Sequence, residues 1–274
     1  MASAPQPNPQ LPPFYNDLQA LSSETHADWR VRPAERAPFL ATAHAIPITV
    51  EEFPLVQRKM PIVFSVGEDP VPLALMGLNE GVNVFLDADG RLTESDLYIP
   101  AYIRRYPYLL MRLRPEVDEL SLCFDPTSET IGAFEDGEPL FENGEPTELT
   151  KAILTFNQQF EEAGQRTAFF INEVKSMGLL IDGEVTIQPN DSPDPFIYRG
   201  FQMIDENKIN EMRGDQLRKI VQNGMLPLLY AHLFSLTLMR DLFGRQMQLG
   251  KMPAQTASGL PAGGLPGAQQ PANS

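Results

Sequence analysis

The sequence predicts an α+β fold, in which a mixed, largely antiparallel sheet from the N-terminal half packs against C-terminal helices. Two observations support this prediction. Short apolar runs separated by turn residues fill the first half of the chain, and apolar residues at helical spacing dominate the second half. Turn residues recur after every few apolar residues in the first half, so the long crossover helices of a parallel sheet have no place there.

Four strands are predicted in the first half, at residues 61–66, 71–78, 82–86 and 120–124. The sequence Gly-Glu-Asp-Pro between the first two is a turn signal, so these strands should pair as a hairpin. Asp87-Ala88-Asp89-Gly90 follows the third strand. Its glycine comes three residues after the first aspartate, and a calcium-binding loop needs glycine at the sixth position. A tight hairpin turn is therefore favoured over a calcium site.

The second half is predicted to be mainly helical. A long helix over 147–176 should begin at Thr147 and stop at Gly178, with Gly164 as a possible break. Strands at 184–188 and 196–204 follow. Asp205 and Asp215 are predicted N-caps of two short helices, the second ended by Gly224. A last helix over about 226–245 is apolar on nearly all sides, so it should be buried in the core.

The two ends of the chain differ from the body in composition. We predict a flexible Pro-rich arm over residues 1–25, a single domain over 26–248 and a disordered Pro/Gly/Ala-rich tail over 249–274, because neither end carries a periodic apolar pattern. Cys123 is the one cysteine, so no intrachain disulfide can form. Its apolar neighbours predict a buried core position.

Charge and hydropathy limit the partners. The net charge of −15 disfavours nucleic acid and anionic membrane surfaces, which both select clustered Lys and Arg. The longest apolar run, 225–239, contains His232 and is too short for a transmembrane segment. The N-terminus has neither a basic region nor an apolar core typical of a secretory signal, so we expect a cytoplasmic protein.

The least ordinary feature is a separation of charges. Residues 97–115 contain four arginines, four tyrosines and no acid, whereas residues 116–148 contain eleven acids and no Lys or Arg. Guanidinium groups bind carboxylates and phosphates in pairs of hydrogen bonds, and tyrosine rings stack on other rings. We therefore predict a binding site for a small anionic or aromatic ligand that includes Tyr102, Arg104, Arg105 and Tyr106. The alternative is that the arginines neutralise the acidic stretch while the tyrosines pack the edge of the core.

Signatures of catalysis are missing. The histidines are His26, His44 and His232, and none has the spacing of a zinc or iron site. No nucleophile elbow, phosphate loop or dinucleotide fingerprint is present, so we expect no catalytic residue, metal or cofactor. His232 is also a candidate binding residue, because a buried imidazole needs a hydrogen-bond partner that a ligand would provide. The alternative is a core histidine whose partner is another group of the protein. In a second hypothesis, His44 and His232 converge with carboxylates into an oxygenase-like metal centre.

Several segments together carry a family resemblance. They are MPIVF at 60–64, LMGL at 75–78, NVFL at 83–86, YIPAYIRRYP at 98–107, PLF at 139–141 and YAHLFSL at 230–236. They resemble the SapC-like family of bacterial proteins, and they run in the family's order from about residue 45 to 240.

The missing catalytic signatures and the Arg/Tyr stretch predict a non-catalytic binding or accessory protein, whose partner is a small anionic ligand or a protein. The resemblance implies its setting, a bacterial nutrient-uptake or modification system, and a flavin-dependent halogenase-like protein as one partner. The family name also implies a surface-layer association, against which the missing secretion signal weighs. The resemblance implies no catalytic residues.

Overall fold

The structure is a computed structural model that describes residues 11–34, 36–113, 119–189 and 193–253. The helices are α1 (Phe53–Val56), α2 (Ala101–Arg104), α3 (Glu148–Ser176), α4 (Glu206–Asn210), α5 (Gly214–Gln222), α6 (Met225–Ser235) and α7 (Met239–Gln248). The strands are β1 (Gln19–Ala20), β2 (Arg30–Val31), β3 (Ala45–Pro47), β4 (Ile62–Phe64), β5 (Pro72–Leu75), β6 (Tyr108–Met111), β7 (Ser121–Phe124), β8 (Ile131–Gly132), β9 (Glu138–Pro139), β10 (Phe141–Glu142), β11 (Glu145–Pro146), β12 (Leu180–Ile187) and β13 (Phe196–Ile204).

The predicted α+β class is confirmed. Every strand pairing within the described ranges is antiparallel, and C-terminal helices pack against the largest sheet. The chain divides into two compact units. Unit 1 comprises Met1–Pro33 with Tyr106–Thr155, and unit 2 comprises Ala34–Arg105 with Phe156–Ser274. The boundaries of a single domain over 26–248 stay a prediction.

Unit 2 contains a five-stranded sheet in the order β12-β13-β4-β5-β3. The predicted hairpin is confirmed, since β4 and β5 pair with Val63 opposite Leu73. Two of the five strands come from the second half of the chain, so the sheet is not confined to the N-terminal half as predicted. β13 has the predicted bounds, and its Phe196, Tyr198 and Phe201 are buried.

One predicted strand is wrong. Residues 82–86 form no strand. The Asn83 side chain binds backbone groups there instead: Oδ1 accepts from the amide of Phe85, two residues further on, and Nδ2 donates to the carbonyl of Leu40, which is distant in sequence. The turn that follows is confirmed as a hairpin turn. The Asp87 carboxylate accepts from the amides of Asp89 and Arg91, and Gly90 adopts a φ of +76° that favours glycine.

Unit 1 is built from very short strands. They form sheets in the orders β1-β7-β6 and β8-β2-β9 and a β10-β11 hairpin. Its core cluster consists of four buried residues: Tyr108, Phe124, Ile131 and Leu140. The predicted burial of Cys123 is confirmed, and burial raises the pKa of its thiol to about 11.

Part of the predicted flexible arm is packed in unit 1. Tyr15 is buried and donates its hydroxyl proton to the Tyr108 carbonyl, and β1 pairs with β7. A tyrosine and a strand inside the arm therefore supply the packing that its composition did not predict. Residues 1–10 of the arm and 254–274 of the tail lie outside the described residues.

The predicted helices of the second half are present, but several begin or end at residues other than those predicted. α3 continues through Gly164 without a break, because its buried face of Phe160, Ala163 and Phe170 spans that residue. Gly178 ends it with a φ of +62°. Asp205 is confirmed as a cap, since its carboxylate accepts from the Asn207 amide. Asp215 is not a cap; it lies in the first turn of α5, which begins at Gly214.

The predicted last helix is two helices. A 3-10 turn over Leu236–Leu238 separates α6 from α7. α6 contacts β4 and β13, and α7 contacts β12. Each helix buries one face, with Leu229 and His232 inward on α6 and Leu242 and Phe243 inward on α7.

Candidate functional site

The predicted Arg/Tyr site begins with α2 and with Arg105, the residue that follows it, and these side chains separate into two groups. Tyr102 and Arg105 are buried, whereas Arg104 is exposed. Pro100 precedes the helix, and the Glu52 carboxylate accepts from the Ala101 amide at 2.6 Å. Proline before the first turn and an acceptor for its free amide both stabilise the start of a helix, so the two neighbouring arginines are held in opposite environments.

Arg105 is the largest fully buried side chain, and its residue is 1% exposed. Its guanidinium carbon lies 4.7 Å from the centre of the Tyr102 ring and 4.4 Å from that of Phe160. Nη1 is 3.4 Å from Oε1 of Glu161. Two rings and one carboxylate thus surround this cation, an arrangement that compensates a buried charge.

Burial changes the acidity of the groups around Arg105. It raises the pKa of Glu161 to about 7, although the arginine acts in the opposite direction. It also raises the pKa of Tyr102 to about 12, again against the effect of Arg105. The cluster therefore combines a permanent cation, a neutral phenol and a carboxyl group that titrates near neutral pH.

Arg104 is engaged locally. Its Nε donates to the Ile99 carbonyl at 3.0 Å and its Nη2 donates to the Tyr98 hydroxyl at 3.1 Å. Its guanidinium carbon also lies 5.1 Å from the centre of the Phe156 ring. Tyr98 donates in turn to the buried Glu52, and burial together with that carboxylate raises the pKa of Tyr98 to about 12.

Tyr106 belongs to unit 1, whereas the other four predicted site residues belong to unit 2. Its ring meets the Tyr15 ring edge to face with the centres 5.3 Å apart. Burial, followed by the charge of Asp125, raises the pKa of its hydroxyl. Within its own unit, Tyr106 thus packs as an aromatic residue at the edge of the core.

His232 is fully buried, and both ring nitrogens bind the backbone of the large sheet. Nδ1 donates to the Ile62 carbonyl at 2.9 Å, and Nε2 accepts from the Ile204 amide at 3.1 Å. This pattern requires the neutral imidazole, and burial lowers its pKa to about 4. The side chain thus joins β4 to β13, which are otherwise paired only between Gln202 and Phe64.

Two more buried polar side chains bind backbone amides, and sequence reasoning did not predict them. Ser235 accepts from the Ile62 amide at 2.8 Å, and Gln246 accepts from the Leu78 amide at 2.9 Å. Both are fully buried. Ser235 lies three residues after His232 in a charge-free helix, so a polar pair on one face was the available signal.

The opposite face of α6 is exposed and apolar, and this too was missed because the whole helix was predicted to be buried. Phe234 is 65% exposed, and its ring centre lies 5.6 Å from that of the partly exposed Tyr230. We call this face the α6 stripe; its members are Leu226, Pro227, Tyr230, Leu233 and Phe234. Helix α6 contains no charged residue.

The sequence profile of the SapC family matches residues 21–242 of the chain. The chain belongs to the SapC family. The matched range includes α2, β4, β13 and all of α6. Neither the search of curated proteins nor the search of solved structures gave a match.

Within residues 11–34, 36–113, 119–189 and 193–253, no three His, Cys, Asp or Glu side chains are grouped closely enough to hold a metal ion. The convergence of His44 and His232 with carboxylates, which the second hypothesis requires, is therefore not found there. In the same ranges, no helix has the length and apolar character needed to cross a bilayer.

Open grooves lie on unit 1. One of about 480 Å³ is lined by aromatic, acidic and basic groups that include Phe134, Phe141, Asp28 and Arg30. Arg30 donates to the Gly137 carbonyl at 2.9 Å, so it stabilises the groove wall. None of the predicted site residues lines this groove.

Proposed function

We propose that this SapC family protein is a non-catalytic binding protein that binds a protein partner, and that the α6 stripe is its contact surface. The observation that carries the proposal is the exposure of Tyr230 and Phe234 side by side on a helix without charge. Tyrosine, tryptophan and phenylalanine are enriched in the centres of protein interfaces.

Binding at this face is favourable because a partner would remove its apolar surface from water. Burying apolar surface contributes roughly 25 cal/mol for each Å² removed from water. A phenylalanine that remains 65% exposed retains most of that contribution for a second molecule. The chain carries a net charge of −15, so a helix without any charged residue is conspicuous on its surface.

Two observations make the α6 stripe a better candidate than a site for a small anion at both arginines. The Arg105 guanidinium is enclosed by rings and faces Glu161, so solvent does not reach it. The His232 nitrogens bind backbone groups. A small anionic or aromatic ligand is therefore proposed, as a second candidate, only at the exposed Arg104 beside Tyr98 and Phe156.

The biological setting is proposed from the family resemblance. We propose an accessory role in a bacterial nutrient-uptake or modification system, in the cytoplasm, with a flavin-dependent halogenase-like protein as one partner to test. A surface-layer role and an enzymatic role are the remaining alternatives.

The test uses a pair of matched phenylalanines. Phe169 on α3 is 63% exposed, close to the exposure of Phe234, and it lies outside the α6 stripe. A photoreactive benzoylphenylalanine is placed at position 234 or at position 169 of the full chain in cells of the source organism. After irradiation, cross-linked proteins are identified by mass spectrometry. The identified partner is then produced separately and titrated against the wild type, Phe234→Asp and Phe169→Asp by calorimetry.

The expected result is one recurrent partner at position 234 and not at 169, and at least tenfold weaker binding of that purified partner by Phe234→Asp only. Equal cross-linking at both positions, or equal affinity of both variants, would overturn the proposal. Cross-linking of position 234 only to a second copy of the same chain would replace the partner by self-association.

A further inference from the structure

The part of the chain that contains the α6 stripe has an unusual charge balance. Residues 212–248 contain five Lys or Arg and two Asp, whereas the whole chain contains 21 Lys or Arg and 36 Asp or Glu. The helices before and after α6 therefore have a basic excess in an otherwise acidic protein. Like charges repel and opposite charges attract at an interface, so this local excess selects among partners.

Two of the five cations remain available. Arg213 pairs with Asp215, Lys219 with Glu173, and Arg245 with Glu94. By contrast, Arg218 on α5 and Arg240 on α7 are exposed, and no described carboxylate lies within ion-pair distance of either. Asp241, next to Arg240, is exposed on the same helix.

The position of these cations in the fold relates them to the stripe. α5 packs against α6, and the 3-10 turn joins α6 directly to α7. On α5, Arg218 follows Leu217 and precedes Val221 by three residues, and Leu217 and Val221 are both exposed apolar residues. Residues three or four positions apart are neighbours on a helix surface, so Val221 lies beside both Arg218 and Leu217 on the exposed side of α5.

We propose that the segment bound at the α6 stripe is an acidic amphipathic helix, which places apolar residues on Tyr230 and Phe234 and carboxylates near Arg218 and Arg240. This inference rests on the proposed function and names the chemistry of the partner. A helix in a groove is a common mode of peptide recognition, and the arginine fork binds a carboxylate with two hydrogen bonds.

An anionic membrane surface is the other occupant that aromatic rings and cations could favour. Recognition of such surfaces typically uses clusters of four to eight Lys or Arg. Here, among the described residues, two arginines without an ion pair and an aspartate beside one of them are present. The net charge of −15 also repels an anionic bilayer. The observations therefore favour the acidic helix.

The test compares two synthetic peptides that share one apolar leucine face. One carries glutamates on its polar face and the other carries lysines. Each is labelled with a fluorophore and titrated with the full chain in an anisotropy assay at 50 and 300 mM salt. Vesicles of phosphatidylglycerol are the third probe. The protein variants are Phe234→Asp, the double charge reversal Arg218→Glu with Arg240→Glu, and Phe169→Asp as a control.

The acidic peptide is expected to bind at least tenfold more tightly than the basic one, and more tightly at 50 than at 300 mM salt. The double reversal should invert that preference, Phe234→Asp should abolish binding, and Phe169→Asp should leave it unchanged. Equal binding of both peptides that still requires Phe234 would overturn the acidic helix and leave the proposed function intact. Absence of acidic-peptide binding, or tighter binding to the vesicles, would also overturn it, whereas the proposed function stands or falls with the cross-linking experiment.

Discussion

The segment around α2 buries an arginine, whereas α6 exposes a phenylalanine and a tyrosine. Each region reverses the usual placement of side chains, because charged groups normally face water and aromatic rings normally do not. At Arg105 the reversal is compensated inside the fold by Tyr102, Phe160 and Glu161. At Phe234, in the described residues, only Tyr230 provides a recorded ring contact. We therefore assign the buried Arg105 a structural role and interpret the exposed Phe234 as part of an interface.

The same contrast exists between the two faces of α6. Its inner face carries His232 and Ser235, which bind the backbone of β4 and β13. Its outer face is the α6 stripe, which no charged residue interrupts. A buried polar side chain with every hydrogen bond satisfied is typical of structural specificity, and an exposed apolar stripe is typical of binding.

The largest expected effect tests the buried cation. Arg105→Ala leaves the Glu161 carboxylate in a buried position without its cation and opens a cavity between two rings, so we expect the free energy of unfolding to fall by about 3 to 5 kcal/mol. Arg104→Ala, one residue away and exposed, should change it by less than about 1 kcal/mol. Urea denaturation followed by circular dichroism measures both. Similar losses for the two variants would contradict the separation of α2 into a buried and an exposed side.

The next effect tests the anchor on α6. His232→Ala leaves the Ile62 carbonyl and the Ile204 amide without their partner, so we expect a loss of about 2 to 4 kcal/mol. Because burial lowers the pKa of His232 to about 4, the folded state resists protonation. Its contribution to stability is complete above pH 6.5 and is lost as the pH falls toward 4. Thermal melts of the wild type and His232→Ala between pH 4 and 7.5 should therefore converge at acidic pH; melts with a constant separation would show that the imidazole does not titrate in this way.

A third prediction uses Glu161, whose effect has the opposite sign in a similar pH range. Its pKa is about 7 in the fold, above the ordinary value of 4.5, so the folded state holds the proton more tightly. Stability from this group is complete below pH 4.5 and is lost as the pH rises through 7, by at most about 3 kcal/mol. Glu161→Gln removes the titration, and its melting temperature should gain on that of the wild type between pH 4.5 and 7.5. Parallel profiles of the two proteins would contradict a raised pKa of Glu161 in the folded state.

The smallest effect is expected on the outer face of α6. Phe234→Ser should change the free energy of unfolding by less than about 1 kcal/mol, because the ring is mostly in water. Leu229→Ala on the inner face of the same helix should cost about 2 to 5 kcal/mol. Calorimetric melts of both variants measure the contrast. A large loss for Phe234→Ser would assign the stripe to folding and weaken its interpretation as an interface.

Sequence reasoning predicted the class of fold because local periodicity carries it. β13 is rich in aromatic and β-branched residues and follows a turn signal, and α3 repeats apolar residues at helical spacing, so both were found. The two-residue strands of unit 1 escaped prediction because two residues cannot show a period. The site was predicted only in part. Arg104 and Arg105 were found from the local composition, but the composition of a segment does not show which guanidinium is buried.

The amino-acid sequence by itself determined the family, the α+β class, the hairpin of β4 and β5, the cap at Asp205 and the burial of Cys123. These features depend on neighbours within a few residues or on a pattern shared along the chain. Only the tertiary structure decided that Arg105 is enclosed while Arg104 is not, that His232 joins two strands, and that one face of α6 remains in water. Each of these depends on residues distant in sequence, such as Glu161, Ile62 and Ile204, and the packing of those residues decides which face of an apolar helix is covered.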